Sequence, residues 1–200
     1  YLLNRQNPVA AVVVTEVKTG NILAMVQGRD PKRWGSGTHT ALYPSFPAAS
    51  LFKTIVAAAA FELLDFDASL PLGLNGGCQN VRPSGVWLED ELLRFHRSMN
   101  LSKAYGLSCN GYFAKLAVNY VGLNAVQIFA KKFGFGEKLD TDFYLEPSPI
   151  NSPSVKSASV HSVGRFAAGF GNVGLSAVHA NWMMLAIANE GIAKPQRLFK

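Results

Sequence analysis

Ser50 and Lys53 stand three positions apart in Pro47-Ala48-Ala49-Ser50-Leu51-Phe52-Lys53, at the head of a strongly apolar helical segment. Residues with that spacing share a helix face, so the hydroxyl and the amine come within hydrogen-bond reach. A serine is a weak nucleophile near neutral pH and needs a base beside it. A lysine serves as that base only if its pKa, ordinarily ~10.4, falls by several units. Burial lowers it, and Leu51, Phe52, Ile55 and Val56 supply an apolar setting. The competing reading is a helix N-terminus with a serine in its first turn and a solvated lysine. S-x-x-K arises easily by chance, so the rest of the chain must decide.

The elements that would hold such a pair follow from the hydrophobic pattern. Residues 9–17 are almost uninterruptedly apolar and β-branched, 22–27 form a second such run, and Lys18-Thr19-Gly20-Asn21 between them is a turn, which predicts a β-hairpin. A continuous apolar strand expects cover on both faces and partners along its edge. Residues 29–46 read as a loop leading to Ser50, and 48–64 as a helix apolar nearly all round, hence deeply buried. An irregular excursion over 65–100 contains a short helix near 89–96. Helices are expected over 101–107 (capped by Asn100), 111–120, 124–133 and 177–190, the last ended by Gly191. A second loop-like stretch covers 137–161, and Gly169–Gly174 reads as a tight bend rather than a phosphate loop, because no βαβ context precedes it.

Composition narrows the function classes. The charge of +6 comes from scattered residues without interleaved aromatics, which argues for mildly anionic surroundings and against nucleic acid. No apolar run is long enough to span a bilayer, and any membrane attachment is expected through a segment outside this chain. The opening Tyr1-Leu2-Leu3, without methionine, points to a processed or excised piece. Cys78 and Cys109 fit no metal spacing and are open to pairing or to remaining free. His39, His96, His161 and His179 lie too far apart for ligand spacing, so no metal and no cofactor is expected. Trp34, Trp87 and Trp182 read as core or rim aromatics.

Ser108-Cys109-Asn110 follows Ser50 by 58 residues, with Tyr112-Phe113-Ala114-Lys115-Leu116-Ala117 behind it and Ala188-Asn189-Glu190-Gly191 later. With the S-x-x-K helix and the opening hairpin, this order resembles the transpeptidase domain of penicillin-binding proteins, relatives of the serine β-lactamases. The resemblance covers nearly the whole chain. It implies an α/β (α+β) fold of helices packed on an antiparallel sheet. Its third motif, K-T-G, should follow the S-x-N segment on a strand. Lys18-Thr19-Gly20 spells K-T-G but lies ahead of Ser50 in a hairpin turn, and Ser98-Met99-Asn100 is better read as a helix cap. The expectation is therefore one domain over 1–200, truncated before its last strands. Ala49 also departs from the glycine that many relatives carry before the serine.

Carried over position by position, the resemblance makes Ser50 the acylated nucleophile and Lys53 the base that takes its proton. Ser108 would relay a proton to the leaving D-alanine nitrogen, and Asn110 would bind the substrate backbone. The implied partners are peptidoglycan stem peptides ending in D-Ala-D-Ala, β-lactam antibiotics and other cell-wall synthesis proteins, met outside the cytoplasm. Two alternatives stay open: a serine β-lactamase, for which Glu137 and Glu146 are loose candidates to activate a deacylating water, and a non-catalytic sensor or scaffold. Asn110 also has a purely structural reading, as the cap of the helix after it.

Overall fold

The computed structural model describes residues 9–30, 32, 39–79, 81–88 and 98–198. Trp34, His96 and the helix expected near 89–96 lie outside the described residues. In chain order the elements are β1 (Val9–Thr15), β2 (Ile22–Arg29), β3 (Phe46–Pro47), a 3-10 turn (Ala49–Phe52) and α1 (Lys53–Leu64). There follow β4 (Leu72–Gly73), a 3-10 turn (Val86–Leu88), β5 (Ser98–Met99), α2 (Leu101–Gly106), α3 (Asn110–Leu116), a π-helical turn (Ala117–Val121) and α4 (Leu123–Lys132). The last are β6 (Ile150–Asn151), α5 (Val160–Ala167), β7 (Asn172–Leu175) and α6 (Ala177–Ala188). The chain divides into two compact units, one of residues 1–47, 134–150 and 174–200, the other of 48–133 and 151–173.

In the first unit β1 and β2 form the expected antiparallel hairpin, in register from Val9 against Arg29 to a bulge after Val14. One reason the hairpin is fixed is polar. Thr15 Oγ1 donates to Asn181 Oδ1 on α6 at 2.6 Å, and the buried Gln196 Nε2 donates to the same oxygen at 2.6 Å. Cover on both faces is not what the hairpin has, however. Val12, Val14 and Val26, which share a face, are exposed, so among the described residues that face stays open. Lys18-Thr19-Gly20 is indeed the turn, with the Thr19 hydroxyl donating to Glu16. The helix over 177–190 ends at Ala188, and the Gly191 N–H returns to the Ala186 carbonyl at 2.8 Å.

The second unit holds the helical core. α1 is buried along its first two turns, through Ile55, Val56, Ala57, Ala59 and Ala60, but Phe61, Leu63 and Leu64 at its far end are exposed. The segment is thus less enclosed than its uniform apolarity suggested. α1 packs on α3, the π-helical turn and α4, and Phe52 meets Phe166 of α5 edge to face at 5.0 Å. α2 starts one residue after Asn100, whose side chain accepts from the Lys103 N–H at 3.0 Å, the cap read from the sequence. α5 falls partly in a stretch expected to be a loop. Ser159 caps it and Val163, Phe166 and Ala167 bury one face.

Two backbone bonds fix the approach to α1: Ala48 N–H donates to the Val173 carbonyl at 2.8 Å, and Ala49 N–H to the Gly169 carbonyl at 3.0 Å. They hold Ala49 at φ 46°, a left-handed conformation that a Cβ disfavours. Glycine carries no such penalty. Ala49→Gly should accordingly raise stability by about 1 kcal/mol, read as a higher denaturant midpoint at unchanged slope. A lower midpoint would show that the strain at this position is relieved by contacts of the methyl group.

Candidate active site

Lys53 is the hinge of the site chemistry. It is the first residue of α1, at the point where the 3-10 turn loosens into α-helix, and only 2% of it is exposed. Its Nζ lies 2.9 Å from Ser50 Oγ, 2.9 Å from the Ser108 carbonyl, 3.0 Å from Ser108 Oγ and 2.6 Å from Asn110 Oδ1. Ser108 Oγ donates to Ser50 Oγ at 2.6 Å. The four residues singled out in the sequence therefore meet around one nitrogen. Asn110 is the first residue of α3, not its cap; the N-cap position is Cys109, and the Asn110 side chain turns to Lys53 and Gln79 instead.

Donor and acceptor counting sharpens this. The Ser108 carbonyl and Asn110 Oδ1 can only accept, so each takes one amine N–H. A neutral amine then has one lone pair left and no further proton. The Ser108 hydroxyl spends its proton on Ser50 Oγ. The Lys53 Nζ that donates to Ser50 Oγ at 2.9 Å would, once neutral, accept the Ser50 proton over the same contact, as a base activating its nucleophile must. A protonated Lys53 would place a third N–H there and block this. Burial lowers the Lys53 pKa from 10.5 to about 8, which favours the neutral form.

The supporting framework is local. Ser108 sits at φ 53° in the bend between α2 and α3, where its N–H donates to the Tyr105 carbonyl at 3.0 Å. That bend aims both its carbonyl and its hydroxyl at Lys53. Behind Lys53, the Thr54 and Tyr105 hydroxyls bond at 2.6 Å and tie α1 to α2. Cys78 and Cys109 are joined as a disulfide, resolving the pairing that the sequence left open. Among the described residues no group of three His, Cys, Asp or Glu could hold a metal ion.

The transpeptidase domain model of the penicillin-binding proteins matches residues 10–200. The chain belongs to that family. Among solved structures, this transpeptidase-family chain is similar to penicillin-binding protein A from Mycobacterium tuberculosis, with 23% identity and a TM-score of 0.73 over 93% of this chain and 47% of that one. An imipenem acyl-enzyme complex of the same mycobacterial protein matches with 23% identity, a TM-score of 0.73 and coverage of 93% and 47%. The transpeptidase domain of penicillin-binding protein 3 from Burkholderia pseudomallei matches with 17% identity and a TM-score of 0.76, over 100% of this chain and 56% of that one. The chain thus spans about half the length of the solved structures it matches. At these identities the likeness speaks for the fold: helices on antiparallel strands, as the transpeptidase resemblance implied. Among curated proteins none matches.

One residue around the transpeptidase-type site escaped sequence reading: Gln79 accepts from Asn110 Nδ2 at 3.3 Å. Cys78, left open to pairing, is bonded to the residue between Ser108 and Asn110, and Gly169, read as part of a tight bend, presses on Ala49. The signals present were slight: a cysteine inside an S-x-N tripeptide, and a glycine in an otherwise unexplained Gly-rich bend.

Proposed function

We propose that the chain carries the acylating residues of a peptidoglycan DD-transpeptidase. The observation that carries this reading is the buried Lys53 amine, held within hydrogen-bond distance of the Ser50 hydroxyl, Ser108 and Asn110. Ser50 Oγ attacks the penultimate carbonyl of a peptide ending in D-Ala-D-Ala while its proton passes to Lys53. Ser108 then hands a proton to the departing D-alanine nitrogen and is reprotonated by Lys53, 3.0 Å from its Oγ, as the peptide bond breaks to leave an ester on Ser50. An acceptor amine attacks that ester, and Ser50 recovers its proton. Asn110 holds the substrate amide through whichever of its side-chain atoms the incoming peptide engages. A β-lactam mimics the scissile amide and stops at the ester, in keeping with the acyl-enzyme complexes of the mycobacterial relative.

The reading carries further expectations: stem peptides and β-lactams as ligands, cell-wall synthesis proteins as partners, and work outside the cytoplasmic membrane. No helix among the described residues is long and apolar enough to cross a membrane. No K-T-G tripeptide follows Asn110 in these 200 residues, so the test is made on the full-length protein. Incubation with benzylpenicillin should add one drug mass to the peptide carrying Ser50, stable over hours, and Ser50→Ala should abolish it. An adduct that clears within seconds, releasing hydrolysed drug, would make the protein a β-lactamase. No adduct at all would leave a non-catalytic member of the family.

A further inference from the structure

The segment from β4 to Gln79 is fastened to α3 and its N-cap residue Cys109 at four points. The fully buried Lys115 Nζ donates to the Gly73 carbonyl at 2.7 Å. Gly111 N–H donates to the Cys78 carbonyl at 2.9 Å, and a Cβ on Gly111 would lie 2.8 Å from the Gly77 carbonyl oxygen, so the segment is pressed against α3. Asn110 Nδ2 donates to Gln79 Oε1 at 3.3 Å, which turns the amide so that Oδ1 faces Lys53. The fourth point is covalent, the bond between Cys78 and Cys109.

That bond sits in a telling place. Cys109 lies between Ser108 and Asn110, and both neighbours touch the Lys53 amine. Ser108 is held at φ 53°, a conformation a serine adopts only under constraint. Cys109 itself is fully buried, while Cys78 is half-buried. An incoming thiolate therefore reaches the Cys78 sulfur, with Cys109 as the leaving group.

We propose that the Cys78–Cys109 disulfide is a positioning device of the acylation site: it sets where Ser108 and Asn110 stand against Lys53, and its reduction slows acylation of Ser50. The inference rests on the transpeptidase reading above. The reductant is a dithiol. One of its thiolates attacks Cys78 Sγ, the Sγ–Sγ bond breaks, and Cys109 leaves as a thiolate. The second thiol then resolves the mixed disulfide, so the dithiol is oxidised by two electrons and two protons and both cysteines end as thiols.

The experiment compares the full-length protein as isolated, after dithiothreitol, and after reoxidation, with cysteine state read by alkylation and mass. Acylation by a fluorescent penicillin is followed to saturation, so that the limiting rate separates from the half-saturating concentration. Cooperative thermal unfolding is recorded for each sample. Reduction should lower the limiting rate at least about tenfold, since sub-ångström misplacement of proton-transfer groups is that costly. Reoxidation should restore it. Cys78→Ala should match the reduced protein and ignore dithiothreitol. A merely structural disulfide would lower the unfolding midpoint and leave the limiting rate unchanged, which overturns the proposal. A bond that resists dithiothreitol in the folded protein overturns it too. An oxidised protein never acylated at Ser50 overturns this proposal together with the reading beneath it, and is recognised because no sample reacts.

Discussion

Lys53→Met lowers the rate of Ser50 acylation by at least about a thousandfold, and Lys53→Arg does no better. The expectation follows from what the amine must do. It has to accept a proton, and methionine offers no basic nitrogen. Arginine stays charged at every working pH and so presents only N–H groups to Ser50. Were Lys53 merely an anchor for the Ser108 carbonyl and Asn110 Oδ1, arginine would substitute tolerably, and that result would remove the base from the mechanism. The wild-type rate carries the same signature in its pH dependence. With the Lys53 pKa near 8, the neutral fraction and the acylation rate climb through that pH and level off above it. At pH 7 about a tenth of the amines are neutral. A stopped-flow profile with its midpoint near the ordinary value of 10.5 would mean that the amine is not kept dry.

Stability moves with the same proton. The folded-state pKa lies below the unfolded one, so between about pH 8 and 10.5 the unfolded chain binds more protons and the fold gains stability as pH rises. The span amounts to roughly 3 kcal/mol, present above 10.5 and lost as pH falls through 8. Denaturant titrations of the wild type, with the pH trend of Lys53→Met subtracted, isolate it from the other lysines.

Gly169→Ala produces the second large effect. A Cβ there would lie 1.7 Å from the Ala49 carbonyl oxygen and 2.5 Å from its carbon, and φ is +86°. Backbone meets backbone, so no side chain can swing aside, and the Ala49–Ser50 peptide must move. Ser50 goes with it. Acylation should fall by about a hundredfold or more, with a stability loss of roughly 3 kcal/mol. Gly171→Ala is the control: its φ is +105°, but no atom lies within 4 Å of the added Cβ. It should cost about 1 kcal/mol in backbone strain while leaving the acylation rate intact. Equal kinetic losses in both variants would trace the effect to the bend as a whole and not to the contact with Ala49.

What could be read from the sequence was what local chemistry determines. The hairpin announced itself through β-branched runs around a turn, α1 through its nearly unbroken apolar run, and α2 through an asparagine cap whose oxygen meets Lys103. The grouping of Ser108 and Asn110 with Ser50 was suggested only by order along the chain, because nothing local links residues that far apart. α5 was overlooked for a different reason. Its histidine, serine, glycine and arginine dilute the apolar pattern, yet Ser159 at its head and the pair Val163–Phe166 were there to be seen. Asn110 was open to a capping role because Asn before a helix normally takes it. The Lys53 amine competes for that oxygen at 2.6 Å and wins. Gln79 acts through tertiary approach alone and left no trace in the sequence, while Cys78 and Gly169 left only slight ones, a second cysteine and a Gly-rich bend.

The wiring of the hairpin has a consequence for how such a chain is made. Thr15 meets Asn181 across 166 residues, and Gln196 completes the contact from farther still. During synthesis β1 and β2 emerge long before α6, so their polar contacts have no route to completion until Gln196 has left the ribosome.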